Sequence, residues 1–175
     1  MWIIVLPMFI LLAITPMLLL SEDLLTESQQ QSAAQIARMV QIQHRAVVDY
    51  CGDNPATCNQ QIPYALFKGY LDENNRAGEL FKTDAGIVSV AANSGQIVTT
   101  VLSNERAISK MRLPPTNMIQ QYWAEQNIAG AGLYNAQTGN VMDSNGNQFP
   151  VSLSATDDHA PILVCNKNGS HMSAC

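Results

Sequence analysis

At 175 residues the chain is long enough for one compact domain with an appendage and too short for two full-sized domains. Charged residues make up 13 % of it, about half the usual share, and 14 Gln and 14 Asn supply polarity beside an apolar fraction of 47 %. The 9 Lys plus Arg against 14 Asp plus Glu leave a net charge of -5 with no basic run, which excludes a partner held by its phosphate backbone. The same composition excludes a charge-driven disordered chain, a collagen-like repeat and a rod rich in Glu and Lys.

The first element is an uncharged run, MWIIVLPMFILLAITPMLLL, from Met1 to Leu20, closed by Ser21, Glu22 and Asp23. A spanning helix needs about 20 predominantly apolar residues, so the run reads as a transmembrane anchor. Pro7 and Pro16 are compatible with it, because prolines are more frequent in membrane helices than in soluble ones. A cleaved signal peptide is the rival reading, but no Lys or Arg precedes the run and the small pair Ala13 and Thr15 would put Pro16 directly after the cut. A prepilin leader would need a Gly before the cut and an early Glu in the helix, and neither is present. With Arg38 as the first basic residue, the expected orientation is N-in and C-out.

The next stretch, from Met17 through Tyr50, holds no Pro or Gly. Ala33, Ile36, Ala37, Val40, Val47 and Tyr50 recur at helical spacing, which predicts one helix leaving the anchor and continuing to about Tyr50. Its amides Gln29, Gln30, Gln31, Gln35, Gln41 and Gln43 form a neutral face. That face is either solvated, with the apolar stripe covered by the protein's own core, or a seam against partner helices; Gln31, Gln35 and Gln43 are the candidate interaction residues. The expected organisation is an anchor over 1–20, a helical stalk over 21–50 and an α+β domain over 51–175.

Four cysteines, Cys51, Cys58, Cys165 and Cys175, lie in the part expected to be translocated, an oxidising setting. Two local bridges are the cheapest pairing: Cys51 with Cys58 around a Gly/Asn/Pro-rich loop, and Cys165 with Cys175. Three connectivities remain formally open. Zinc at Cys165, His171 and Cys175 would lack the paired C-x-x-C spacing of such sites.

Beyond the first cysteine pair, Pro63 opens a short helix from Tyr64 to Leu71, and Asp72 to Gly78 reads as a loop. Gly86 to Ala92 and Gln96 to Leu102 flank the turn Asn93-Ser94-Gly95 and predict a hairpin. Ser103 is an N-cap for a helix ending near Met111. A further amphipathic helix follows Pro114-Pro115-Thr116 and carries Met118, Ile119, Tyr122 and Trp123. Short strands are then expected at Ala131–Asn135, Asn140–Asp143, Phe149–Leu153 and Pro161–Cys165, with a turn at Asn145-Gly146. The fold class is α+β, with an antiparallel sheet in the second half.

No reactive constellation stands out. His44, His159 and His171 fall in no H-x-x-x-H arrangement, and the densest titratable cluster, Asp157-Asp158-His159, reads as a solvated loop beside Pro161. There is no G-x-S-x-G elbow, phosphate-binding Gly-rich loop or S-x-x-K pattern. No catalytic residue, metal or cofactor is expected, and His44 is expected half-buried on its helix.

The order of short motifs is more telling. An N-terminal anchor opening with Met1-Trp2 leads through a Gln/Ala-rich helix into His44-Arg45-Ala46-Val47-Val48-Asp49-Tyr50 and Asn54-Pro55. Leu113-Pro114-Pro115, Ala129-Gly130-Ala131-Gly132-Leu133-Tyr134-Asn135, Thr138-Gly139 and an apolar strand after Ala160-Pro161 follow. This order resembles the PilM family of type IVb (thin) pilus biogenesis proteins of conjugative plasmids, which is distinct from the actin-like cytoplasmic protein of the same name. The resemblance implies a bacterial inner-membrane, periplasm-facing component of pilus assembly or of the pilus base. It would have no catalytic residues, and its partners would be other assembly or pilin subunits, with homo-oligomers among the options. The alternative is a pilin-like subunit incorporated into a fibre.

Overall fold

The computed structural model describes residues 2–58, 60–72, 86–92, 95–101, 114–151 and 158–166, with residues 2–23 as helical backbone. A long N-terminal helix and a shorter one lie against one face of a six-stranded antiparallel sheet, so the architecture is α+β. Among the described residues no helix is long and apolar enough to cross a membrane. The side chains of the expected anchor, Met1 to Leu20, fall outside the described residues.

Helix α1 runs from Trp2 to Asp53, 52 residues. At about 1.5 Å per residue this is a rod of about 78 Å. Good helix formers dominate it, and it ends where Pro55 disfavours the α conformation of the residue before it. There Asn54 leaves helical geometry, and both its backbone N–H (2.9 Å) and its side-chain amide (3.1 Å) cap the Tyr50 carbonyl. The stripe expected from the spacing is the buried one: Ala33, Ile36, Ala37, Val40, Val47 and Tyr50 are all inside, joined by Ala46 and Cys51. The turns from Ala33 to Cys51 are therefore core, and those from Leu24 to Gln31 are exposed on every side.

Cys51 and Cys58 are joined in a disulfide with Cα atoms 5.3 Å apart, closing the loop around the turn Pro55–Thr57. In the chain-entropy account so short a loop contributes about 2.5 kcal/mol. Cys165 is also disulfide-bonded, while Cys175 lies outside the described residues. The short helix expected after Pro63 is divided: α2 covers Tyr64–Phe67, and a 3-10 turn over Lys68–Tyr70 replaces the rest. Gly69 sits in that turn, where a residue of high backbone entropy does not support further α-helix.

The sheet has the order β1-β2-β6-β3-β4-β5, with β1 Ile87–Ala91, β2 Gln96–Val101, β3 Ala131–Asn135, β4 Asn140–Met142, β5 Gln148–Pro150 and β6 Pro161–Asn166. The expected hairpin is β1 and β2, with Val90 opposite Val98. β6 enters between the two halves, pairing Val98 with Val164 and Leu163 with Ala131. Period-2 alternation then sorts the side chains. Ile87, Ala91, Ile97, Val101, Leu163 and Cys165 face the helices, and Val98, Tyr134, Val141, Ile162 and Val164 form a second cluster.

Helix α3, Thr116–Glu125, is the amphipathic helix expected after the double proline, with Ile119 and Trp123 buried. Each such large apolar side chain contributes about 1.5–3 kcal/mol on burial. The Trp123 indole donates to the Ala37 carbonyl at 3.3 Å and so ties α3 to α1. β4 ends at Met142, one residue earlier than expected, because Asp143 folds back on its own turn: its carboxylate accepts from the backbone N–H groups of Asn145 and Asn147, both at 2.8 Å. The expected helix from Ser103 to Met111, most of the loop from Asp72 to Gly78 and the far end of the strand at Leu153 lie outside the described residues.

Candidate contact surface

Where the exposed part of α1 meets α3, the two helices form a groove of about 340 Å³ lined by Gln30, Gln31, Ala34, Met118, Gln121, Tyr122 and Glu125. Its polarity is almost wholly amide and hydroxyl, with Glu125 the single charged residue lining it among the described residues, and the Glu125 carboxylate already accepts from the Gln121 amide at 3.1 Å. Arg38 stitches the two helices together below the groove. Its Nε donates to the Tyr122 hydroxyl at 2.8 Å, and its guanidinium carbon lies 5.9 Å from that ring's centre. Above the groove Leu24 and Leu25 stand 65 % and 60 % exposed on α1.

Two of the three amides singled out in the sequence belong to this surface. Gln31 lines the groove and Gln35 is exposed one turn further on. Gln43 does not: it is 2 % exposed and forms part of the core. Its position explains this, since it falls between Val40 and Val47 on the buried stripe, at three- and four-residue spacing. The α3 side of the groove was not identified as a contact surface from the sequence. Its signal is Met118, Gln121, Tyr122 and Glu125 at helical spacing opposite the turn carrying Gln30-Gln31, recognisable only once the two helices are paired.

The burial of Gln43 brings together a hydrogen-bonded chain in the helix–sheet interface. Gln43 Nε2 donates to the Ile87 carbonyl and to Ser89 Oγ, both at 3.0 Å. Ser89 Oγ lies 2.9 Å from Thr99 Oγ1, which lies 2.9 Å from His44 Nδ1. Ser89 and Thr99 can each donate or accept along this chain, since a hydroxyl carries one proton and two acceptor positions. His44 is the titratable member of this chain. Burial without a charged partner lowers its pKa to about 4. Among the described residues Gln43 Oε1 has no hydrogen-bond partner.

The remaining titratable candidates are not drawn together. Asp158 Oδ2 lies 2.9 Å from His159 Nδ1 on the surface, and Asp158 also accepts from the Ala136 N–H at 2.9 Å. That backbone bond, with the neighbouring imidazole, holds the Asp158 carboxyl below its ordinary pKa. Asp157 and His171 lie outside the described residues. Among the described residues no group of three or more His, Cys, Asp and Glu is arranged to hold a metal ion. Comparison of the chain with known protein families, with curated proteins and with solved structures finds no match.

Proposed function

We propose that this protein is a non-catalytic, membrane-anchored component of type IVb (thin) pilus assembly, held in the bacterial inner membrane by the segment Met1 to Leu20. In this reading the N-terminus is cytoplasmic, the α+β domain faces the periplasm, and the protein acts through contacts with other assembly or pilin subunits. The resemblance in motif order supports the pilus assignment. The observation that carries the contact role is the amide-rich, sparsely charged groove between α1 and α3, continued by the exposed turns from Leu24 to Gln31. Such a surface packs closely against a partner helix because few charges must be desolvated.

Charge placed on that face tests the reading. Gln31→Lys with Gln35→Glu forms an i,i+4 pair that the helix tolerates. It should sharply reduce pilus production while thermal stability changes by less than about 0.5 kcal/mol. Normal pilus production from a stably expressed double variant overturns the contact role. A second reading, a pilin-like subunit packed into a fibre, draws on the uninterrupted α1, whose later turns are core while its earlier turns stand clear. N-terminal sequencing of protein from membranes separates the two: an intact Met1 supports the assembly component, and a processed N-terminus supports the fibre subunit.

A further inference from the structure

A second concavity lies away from the helical groove, between the α3–β3 connection and the β4–β5 hairpin, with a volume of about 830 Å³. This is within the size range of small-molecule sites, roughly 300–1,000 Å³. Asn127 lines it from one side, and Asp143, Asn145, Asn147, Gln148 and Phe149 line it from the other. Both walls are built to hold their shape. Asn127 takes a left-handed φ of 51°, and the hairpin is pinned by Asp143, which accepts from the Asn145 and Asn147 backbones and from the Asn147 side-chain amide at 2.9 Å.

The chemistry of these walls selects a class of ligand. Among the described residues that line the cleft Asp143 alone carries charge, and hydrogen bonds from its own turn outweigh its partial desolvation, so its carboxyl sits below the ordinary pKa and stays ionised. On a chain of net charge -5 it repels anions, and both its oxygens are already engaged by its own turn. What remains is uncharged, with amides beside apolar surface from Ala124, Ile128 and Ala129. The side chains of Asn127 and Asn145 make no hydrogen bond to the described protein, and each presents a donor beside an acceptor. A hydroxyl is also both donor and acceptor, so adjacent ring hydroxyls match an amide better than an ion or an alkyl group does. Phe149, half-buried against the second core cluster, supplies an apolar surface for the C–H face of a sugar ring.

We propose that this cleft binds a neutral oligosaccharide, with Phe149 beneath a sugar ring and Asn127, Asn145 and Gln148 hydrogen-bonding its hydroxyl or acetamido groups. An extended peptide is the poorer fit. The adjoining edge strand β5 has three residues and ends in Pro150, which has no N–H to donate to an added strand.

The test is a calorimetric titration of the full chain in a detergent without a sugar headgroup, with chitotetraose, cellotetraose and maltotetraose as separate probes. Saturable binding of at least one is expected. Asn145→Ala and Phe149→Ala should each weaken it by about tenfold, while Arg45→Ala, exposed on α1 and outside the lining of the cleft, leaves it unchanged. Asn145 is exposed and bonded to the protein through its backbone, so its variant keeps the fold even where Phe149→Ala does not. Binding of chitotetraose alone identifies an acetamido-bearing polymer of the cell-wall type as the source, and binding of all three identifies recognition through hydroxyls. No saturable binding of any probe, or binding that Asn145→Ala and a folded Phe149→Ala both leave intact, overturns the proposal. Capture of an extended peptide without sugar binding overturns it as well.

Discussion

His44 is an acid-sensitive point in the helix–sheet interface. Its Nδ1 lies 2.9 Å from Thr99 Oγ1, in a hydrogen-bonded chain that continues through Ser89 to the Gln43 amide. Protonation would put a positive charge into this buried interface, where burial disfavours it. The folded pKa of about 4 lies below the ordinary 6.5, so the unfolded chain binds the proton more readily. The associated stability is therefore fully present above pH 6.5 and lost as pH falls from there to about 4. The total is at most about 3 kcal/mol. Thermal melts across that window should show this loss, and His44→Gln should flatten the curve relative to the parent. Gln43 is equally sensitive to charge: Gln43→Glu puts an unpaired carboxylate where the acceptor already lacks a partner, and should cost about 3 kcal/mol or more at neutral pH. Gln35→Glu, on the same helix but exposed, should stay within about 0.5 kcal/mol.

Elements were legible in the sequence to the extent that local chemistry fixes them. Helix α1, the β1–β2 hairpin, the helix after Pro115 and four short strands follow from periodicity, proline and turn residues, and the structure places each close to its expected bounds. What periodicity could not reveal is pairing. Gln43 was read with the other amides of its helix, although its spacing from Val40 and Val47 puts it on the buried face, and its partners Ser89 and Thr99 lie on β1 and β2, brought beneath α1 by the tertiary fold. The same holds for the two clefts, whose walls come from elements far apart in the chain. Strand pairing also sets a demand at Gly132: a Cβ there would overlap the Met142 carbonyl and the Val141 side chain on the neighbouring strand. Gly132→Ala should therefore destabilise by about 1–3 kcal/mol, as overpacking does, and be detectable in denaturant melts. Gly69→Ala, with open space around its Cβ, should be close to neutral.

For the whole molecule, the proposed orientation predicts that a reporter active only in the periplasm, fused after Cys175, will be active. A cytoplasm-only reporter should be silent at the same position, and activity there would reverse the orientation. The path of α1 also has a mechanical consequence. From Ala33 to Cys51 the helix lies against the sheet and α3 over about 27 Å. Tension applied at its N-terminal end reaches the head along the axis of that contact, so the packed side chains, the Trp123 indole and the Gln43 amide share the load in shear rather than yielding one after another. At the far end the Cys51–Cys58 bridge fastens the last turn covalently to the chain that follows. A pull that would peel a β-hairpin open strand by strand instead meets the head all at once, as a plug seated on its rod.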